Sequence, residues 1–272
     1  MTAIAPIELP DVQAGAERRG VALEAVGVTG LRYPIAVALP AGDRQQTICE
    51  AELTVPLGAT TRGTHMSRFV EALHEHRDEI SPAGVLALSR SVSERLGGLG
   101  ARVELRFPLF VERAAPVTGE PALLTVDCAL AAAVADDEPT AVQVGLRAPV
   151  TSLCPCSKEI ADYSAHSQRG HLTIAAVDGA WAAGGDGLWP QELLAICDEA
   201  GSAPIYPLLK RPDERHVTML AYDRPAFVED LARDVAVVLR GDERVQAFTV
   251  EAVNQESIHD HQAVARVSWR RT

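Results

Sequence analysis

Thr151-Ser-Leu-Cys-Pro-Cys-Ser-Lys-Glu-Ile-Ala-Asp-Tyr-Ser-Ala-His-Ser-Gln-Arg-Gly-His171 interrupts a pattern that is otherwise typical of β-strands, at residues 141–150 and 171–177. The stretch contains two cysteines, two histidines, a lysine, an arginine and two acids. Cys154 and Cys156 flank a proline, and residues two apart have an unfavourable Cα geometry for a disulfide. A thiolate followed by His166 suits a pair of metal ligands instead.

The bulk composition favours a cytoplasmic protein with a sizeable core. The chain has 272 residues, 47% of them hydrophobic, and a formal net charge of -12, which argues against binding to nucleic acid or to an anionic membrane. No apolar run approaches membrane-spanning length, and the N-terminus does not resemble a signal peptide. The odd number of cysteines, five, suits a reducing compartment.

The first half of the chain shows two strands, two helices and two more strands. Residues 23–39 and 47–57 alternate like a β-hairpin around the turn Pro40-Ala-Gly-Asp43. A helix is expected after Ser67, which we predict to be its cap, with Phe69, Val70 and Leu73 on its apolar face. Ser81-Pro82 opens a second helix that runs to about residue 96. Strands follow at residues 101–112 and 122–134.

Arg62, His65 and Arg68 lie at the start of the first predicted helix. Positive side chains beside a helix N-terminus favour the binding of anions. A solvated basic loop explains the same residues equally well. His74 and His76, later in that helix, are expected on its exposed face.

The second half repeats this order. Strands are predicted at residues 141–150 and 171–177, helices at 189–200 and 224–239, and strands at 248–253 and 263–269. We therefore predict two tandem β2α2β2 units with a boundary near Asp136-Asp-Glu-Pro139. The expected divisions are an N-terminal arm at 1–22, a first unit at 23–136, and a second unit at 137–272 that carries most of the functional residues.

Two further polar inserts lie in the second half. They are Lys210-Arg-Pro-Asp-Glu-Arg-His-Val-Thr218, between its two helices, and Asn254-Gln-Glu-Ser-Ile-His-Asp-His261, between its last two strands. A simple connection at either place would need only a few residues. Together with the cysteine-rich stretch they put three ionisable inserts in one unit.

These inserts resemble the motifs of a known family. Ser152-Leu-Cys-Pro-Cys-Ser-Lys-Glu-Ile, Ala165-His-Ser-Gln-Arg, Tyr206-Pro-Leu-Leu-Lys-Arg-Pro-Asp-Glu and Glu256-Ser-Ile-His look like the type IB GTP cyclohydrolase I family, which is metal-dependent. Arg62-Gly-Thr-His-Met-Ser-Arg-Phe is similar to the first-half signature of that family. The resemblance spans residue 25 to the C-terminus.

The resemblance implies an α+β tunnelling fold (T-fold), with antiparallel sheets and helices on one face. It also implies a homotetramer with pockets at the subunit interfaces, and GTP as the substrate. The family opens the imidazole ring of GTP at C8, releases formate and forms 7,8-dihydroneopterin triphosphate, the first step of folate and pterin biosynthesis. The chemistry calls for a metal with one open position, since such a metal makes bound water acidic near neutral pH.

The resemblance assigns roles to individual residues. Cys154, His166 and Glu214 match the ligands of one divalent metal, which can be zinc, manganese or iron, and His259 lies beside it as a ligand or a proton-transfer group. Glu256 matches the carboxylate that grips guanine through its N–H donors. The triphosphate also needs cations in this acidic chain. Lys158 and Arg169 are the nearest in sequence, with Ser157 beside them, and Arg62, His65 and Arg68 could come from another subunit.

Other residues of the same types have ordinary explanations. Cys156 is a thiol near the ligands, a reactive cysteine, a turn residue or a further ligand. His171, His216 and His261 are expected to be structural or incidental, and Cys49, Cys128 and Cys197 to be small core residues. Ser167 and the pair Arg215-His216 depart from the usual family pattern but leave the implied ligands unchanged.

Two competing functions remain open. A nitrile reductase of the same fold would use a cysteine nucleophile and NADPH, which leaves His166 and Glu214 unexplained. A binding protein with a structural zinc site is the other alternative, although structural sites are usually closed by four Cys or His ligands. Removing the metal distinguishes these functions. Loss of a structural metal should unfold the protein, whereas loss of a catalytic metal should abolish activity and leave the fold largely intact.

Overall fold

The computed structural model describes residues 11–13, 15–135 and 140–272. The first half of the chain forms β1 (Leu23–Ala38), β2 (Arg44–Leu57), α1 (Met66–His76), α2 (Pro82–Arg95), β3 (Ala101–Ala114) and β4 (Pro121–Val134). The second half forms β5 (Ala141–Leu153), α3 (Pro155–Ile160), β6 (Ser167–Asp178), α4 (Pro190–Ala200), β7 (Ala203–Pro204), α5 (Arg211–Asp223), α6 (Val228–Gly241), β8 (Val245–Gln255) and β9 (Gln262–Arg270).

Within these described residues the strands form one antiparallel sheet of nine strands. Its order is β1-β2-β3-β4-β5-β6-β8-β9, and the short β7 pairs with one end of β5. The two halves of the chain meet where β4 pairs with β5, from Asp127↔Arg147 to Ala133↔Ala141. The expected antiparallel sheet is therefore confirmed. The predicted boundary at residues 136–139, and much of the predicted arm, lie outside the described residues.

The core lies between the sheet and the helices that cover one of its faces, as predicted. Strands alternate buried and more exposed residues, as along β3, because successive side chains point to opposite faces. Cys49, Cys128 and Cys197 are buried in this core, as the sequence predicts. Burial raises the pKa of the Cys49 thiol to about 11, and those of Cys128 and Cys197 to about 12, so these thiols stay protonated and unreactive.

The start of α1 differs from the prediction. Ser67 lies inside the helix, and the N-cap position belongs to His65, whose side chain makes no capping hydrogen bond. Phe69 and Leu73 are buried as expected. By contrast, Ser81 caps α2 as the sequence indicates, and its Oγ accepts a hydrogen bond from the Gly84 amide at 2.9 Å.

Two helices are absent from the sequence prediction. In α3 the proline of the Cys-Pro-Cys stretch occupies the first turn, and in α5 the insert at residues 210–218 becomes helical. Hydrophobic periodicity does not reveal α5, because its only buried residues are Asp213 and Ala221. Its signals are instead a proline in the first turn and an acid at the third position, where Asp213 accepts from the Lys210 amide at 2.9 Å.

Smaller differences concern element ends and histidines. β6 begins at Ser167, four residues earlier than predicted, and α6 begins at Val228 instead of residue 224. His74 is exposed as expected, whereas His76 is half-buried. Among the residues described, no helix has the length and apolar character needed to cross a membrane.

The two serines near helix starts should respond differently to substitution. Ser81→Ala should lower the free energy of unfolding by about 1 kcal/mol, because it removes the cap of α2. Ser67→Ala, the matched control, should change it by less than about 0.5 kcal/mol, because Ser67 is an exposed position inside α1. Urea denaturation measures both, and equal losses would contradict the assignment of the cap.

Candidate functional site

Cys154 and His166 lie side by side where β5 ends and β6 begins. The last pair of these strands is Leu153↔Ser167, so the next residues outward face each other. The Cys154 amide donates to the His166 carbonyl at 3.1 Å. Ser157 joins them, since its Oγ accepts from the His166 amide at 3.1 Å and donates to the Cys154 carbonyl at 3.2 Å. The half-buried pair is therefore held at the backbone.

The side chain of Cys154 also caps the short helix α3. Its Sγ accepts a hydrogen bond from the Ser157 amide at 3.5 Å. Cys156 is the second residue of α3 and is exposed, whereas Cys154 is half-buried. The two cysteines of the motif thus have different surroundings, and Cys154 is the one that faces His166.

A buried polar cluster lies beneath His166. The Ser152 hydroxyl donates to the Ala226 carbonyl at 2.9 Å and accepts from Asn254 Nδ2 at 2.9 Å and from Gln168 Nε2 at 3.3 Å. Gln168 Oε1 lies 2.8 Å from His166 Nδ1. The cluster joins the ends of β5, β6 and β8, the strands that lead to Cys154, His166 and the loop of Glu256 and His259. Sequence reasoning did not identify Ser152, Gln168 or Asn254 as part of the site.

Glu214 lies in the first turn of α5 and is exposed. The neighbouring Asp213 is buried and accepts hydrogen bonds from the amides of Val117 and Thr118, at 2.8 and 2.9 Å, and from the Thr118 hydroxyl at 2.7 Å. Burial alone would raise the pKa of Asp213, but these bonds and that from Lys210 hold it well below its usual range. A charged carboxylate thus fixes the start of α5 to the turn between β3 and β4.

A second contact ties the same hairpin to the second half of the chain. Arg113 forms an ion pair with Asp198 and donates to the Ile205 carbonyl at 2.8 Å. Its guanidinium also lies 5.6 Å from the centre of the Tyr206 ring. The Tyr206-to-Glu214 motif is therefore positioned by residues about one hundred positions away, which sequence reasoning missed.

Glu256 and His259 lie in the loop between β8 and β9. Glu256 is half-buried, one residue beyond the end of β8, whereas His259 is exposed. The His259 ring stacks on that of His261, with centroids 4.9 Å apart. The structure therefore places Glu256 directly after β8 and leaves His259 further along the exposed loop.

The predicted metal ligands are not all gathered. Within residues 11–13, 15–135 and 140–272, no three His, Cys, Asp or Glu side chains lie close enough together to hold a metal ion. Cys154 and His166 are adjacent, but Glu214 and His259 do not complete a cluster with them. The four-residue ligand set stays a prediction.

The cations predicted for the triphosphate are dispersed. Lys158 Nζ donates to the Tyr222 carbonyl at 2.6 Å and lies over the Tyr222 ring. Arg169 is exposed on β6. At α1, Arg62 is exposed, His65 Nε2 lies 3.2 Å from Asp11, and Arg68 donates to the Arg95 carbonyl at 3.1 Å. Arg62 and His65 thus precede α1 and Arg68 lies in its first turn, while Lys158 lies against α5.

Comparison with known proteins identifies the family. Residues 9–265 match the family described as type I GTP cyclohydrolase FolE2. GTP cyclohydrolase FolE2 of Nitrosococcus oceani is 42% identical over 263 residues, which cover 96% of this chain and 95% of that protein. The protein of the same name from Burkholderia vietnamiensis is 44% identical over 259 residues, 95% of this chain and 94% of its own. The chain belongs to the type I GTP cyclohydrolase FolE2 family.

The family resemblance stated from the motifs is thereby confirmed at the level of type I GTP cyclohydrolases, with FolE2 as the family name in place of type IB. The motifs that carried it fall at the strand ends of β5, β6 and β8, at the start of α5 and, for the first-half signature, at the start of α1. Ser167, one of the departures from the usual motif, begins β6, and its hydroxyl donates to the Ser152 carbonyl at 3.5 Å.

Solved structures with a similar fold include uricases. Uricase from Arthrobacter globiformis aligns with a TM-score of 0.50 at 8% identity and covers 96% of both chains. Urate oxidase from Bacillus sp. TB-90 gives 0.52 at 8% identity, covering 92% of this chain and all of that one. At this identity the likeness concerns the fold alone, and it agrees with a T-fold-like arrangement for this FolE2 family member.

Neutralising Asp213 should weaken the attachment of α5. Asp213→Asn should lower the melting temperature at neutral pH, because the amide group carries no charge and has one acceptor oxygen instead of two. A carboxyl whose pKa falls on folding stabilises the native state above its ordinary value of 3.8 and loses that effect as the pH falls below it. The difference between wild type and variant should therefore shrink in acid, as measured by calorimetry.

Asp223→Asn is the matched control, because Asp223 lies exposed at the other end of α5. Its melting temperature should follow that of the wild type at every pH. A difference between wild type and Asp213→Asn that stays constant from neutral pH to below 3.8 would contradict the role of the charged carboxylate.

Proposed function

We propose that this protein is a GTP cyclohydrolase I, which hydrolyses GTP at C8, releases formate and yields 7,8-dihydroneopterin triphosphate. The observation that carries the proposal is the match to FolE2 proteins at about 40% identity over nearly the whole chain. The adjacent Cys154 and His166 at the end of β5 support it, since they offer the thiolate and imidazole that the reaction needs near C8. We place the reaction as the first step of folate or pterin synthesis, in the cytoplasm.

The proposed cofactor is one divalent metal, zinc, manganese or iron. Thiolate and imidazole suit these ions, and Gln168 occupies His166 Nδ1 so that Nε2 is left for a ligand. The ligand set is Cys154, His166 and Glu214, with His259 as a fourth ligand or a proton carrier. When bound, such an ion makes a coordinated water more acidic and polarises the group that water attacks.

The remaining steps belong to the side chains of the chain itself. Glu256 accepts hydrogen bonds from the N1–H and the exocyclic N–H of guanine, which orients the base, and a charged acceptor makes each bond stronger than a neutral one would. Its half-buried position beside the strand ends supports this role. His259 moves protons during the two hydrolytic steps, a task that enzymes most often give to histidine.

We further propose how the triphosphate and the subunits are arranged. Lys158, Ser157 and Arg169 contact the triphosphate from one subunit, and Arg62, His65 and Arg68 from another, within a homotetramer whose pockets lie at subunit interfaces. The order of elements supports a T-fold of two β2α2β2 units, at residues 23–136 and 137–272, with α3 and α5 as additions to the second unit. The exposed side chains of Arg62 and Arg68, around the start of α1, support a contribution across an interface.

The first test is formation of the fluorescent oxidised pterin from GTP by purified protein, before and after chelation and with zinc, manganese or iron restored. Product should appear only with metal, and Cys154→Ala should abolish it together with metal binding. Cys156→Ala is the matched thiol control and should retain both. A folded, metal-loaded protein that forms no product with any of the three metals would overturn the proposal.

The same experiment separates the alternatives. Chelation should remove activity and leave the circular dichroism spectrum largely unchanged, because the core does not depend on Cys154 or His166. Loss of folding on chelation would favour a structural zinc site. Thiol-dependent reduction of a nitrile by NADPH without metal would favour a reductase.

Glu256→Gln tests the recognition of guanine. The amide presents an N–H group where the base also donates, so at least one charged hydrogen bond is lost and a repulsive contact is added. The value of kcat/KM for GTP should fall about 100-fold or more, as expected for a loss near 3 kcal/mol, while metal content stays unchanged. Retention of kcat/KM within about threefold would exclude Glu256 from base binding.

A further inference from the structure

Among the described residues, the hydrogen-bond contacts of the His166 ring are at Nδ1. Gln168 Oε1 lies 2.8 Å from it and Ser257 Oγ 3.4 Å. We infer that a buried series of hydrogen bonds, from the Ala226 carbonyl through Ser152 and Gln168, fixes the tautomer of neutral His166. In this tautomer Nδ1 carries the proton, and Nε2 presents its lone pair to the site. Gln168 is then a positioning residue that acts on the reaction through His166.

The Ala226 carbonyl determines which group donates and which accepts in each of these hydrogen bonds. A backbone carbonyl can only accept, so the Ser152 hydroxyl, 2.9 Å away, must donate its single proton to it. The hydroxyl then has only lone pairs left for its other neighbours. Both side-chain amides that reach it, Asn254 and Gln168, must therefore present their NH2 groups, as the geometry shows.

The orientation of Gln168 follows from this. With its Nε2 directed at Ser152, its Oε1 faces His166 Nδ1 and can only accept. An unprotonated Nδ1 would place two lone pairs 2.8 Å apart. The proton of the neutral ring therefore belongs on Nδ1, and Nε2 is left as the basic nitrogen, the arrangement that histidine ligands usually require.

Burial makes this orientation costly to reverse. Ser152 is 0%, Asn254 1% and Gln168 8% exposed, so water does not offer alternative partners. The other side of Asn254 makes no hydrogen bond among the described residues. Its Oδ1 lies against Gly170, where a Cβ atom would collide with it, so the amide is closely packed between β6 and β8.

Ser257 does not set the tautomer. The distance from Ser257 Oγ to His166 Nδ1 is 3.4 Å, whereas that from Gln168 Oε1 is 2.8 Å. Ser257 is also an exposed residue in the loop after β8. A hydroxyl can also donate or accept, so it adapts to the state of the ring. Gln168, whose amide is oriented by its hydrogen bond to Ser152, determines which nitrogen of His166 carries the proton.

The consequence for metal binding rests on the proposed ligand role of His166. An imidazole already in the correct tautomer and orientation binds a metal without rearrangement, and loss of such an orienting partner typically weakens metal affinity by about 10–100-fold. Because the tautomer exists in the metal-free protein, it can be tested without any assay of activity.

The primary test is the long-range 1H–15N spectrum of the histidine rings in metal-free protein at about pH 8, where imidazoles are neutral. The His166 signal is identified by its absence in His166→Gln. Wild type and Ser257→Ala should show the Nδ1–H tautomer. Gln168→Leu should lose it. Gln168→Glu should keep it, because one carboxylate oxygen still accepts from Nδ1 while the Ser152 hydroxyl turns its proton from Ala226 to the other. Gln143→Leu, the same change elsewhere in the sheet, should match the wild type.

A second readout is the affinity for zinc, measured by competition with a chromophoric chelator. It should fall about 10–100-fold in Gln168→Leu and remain within a few-fold of wild type in Gln168→Glu and Gln143→Leu. An Nε2–H tautomer in the wild type, an unchanged tautomer in Gln168→Leu, or an unchanged affinity in that variant would overturn the inference. Failure of wild-type protein to bind zinc, manganese or iron would count against the proposed function, while the tautomer result would stand.

Discussion

The antiparallel pairing of β5 with β6 is the constraint on which the site depends. Twelve residue pairs, from Val142↔Asp178 to Leu153↔Ser167, fix the register, and a slip of one residue would turn every side chain to the other face. That register puts Cys154 opposite His166 just beyond the last pair. Because β5 also pairs with β4, the strand that carries Cys154 joins both halves of the chain.

The sheet changes character at its end near the site. Along most of β5 and β6 the inward positions are apolar, such as Val144, Leu146 and Ile174, all buried in the core. At the last inward positions Ser152 and Gln168 replace them, and Asn254 does so on β8. Buried polar groups are tolerated when they are paired, and pairing makes their geometry specific. Directed hydrogen bonds thus replace apolar packing at the end of the sheet, where the side chains of the site need a defined orientation.

Much of the fold can be predicted from the sequence, because apolar and polar residues alternate along the long strands and characteristic residues mark the ends of several helices. The eight long strands and the helices α1, α2, α4 and α6 lie close to their predicted places. Helix α5 was not predicted because it buries a carboxylate instead of an apolar stripe. Helix α3 was not predicted because its six residues are too few to show a helical period. Cys154 and His166 were recognisable as a pair, since their motif is local. Gln168 stands in that motif but looks like an ordinary polar residue until Ser152 and Asn254, 16 and 102 residues from their partners, are seen beside it.

The attachment of α5 has a consequence for motion. Beyond its first turn this helix has only Ala221 buried, so a few hydrogen bonds to Asp213 replace the apolar contacts that usually anchor a helix. Segments with few apolar contacts open at low free-energy cost while the rest of a protein stays folded. Local opening of α5 would carry Glu214 away and leave Cys154 and His166 in place on the sheet. Amide hydrogen exchange in this helix would then proceed through local opening, independently of the global stability of the core.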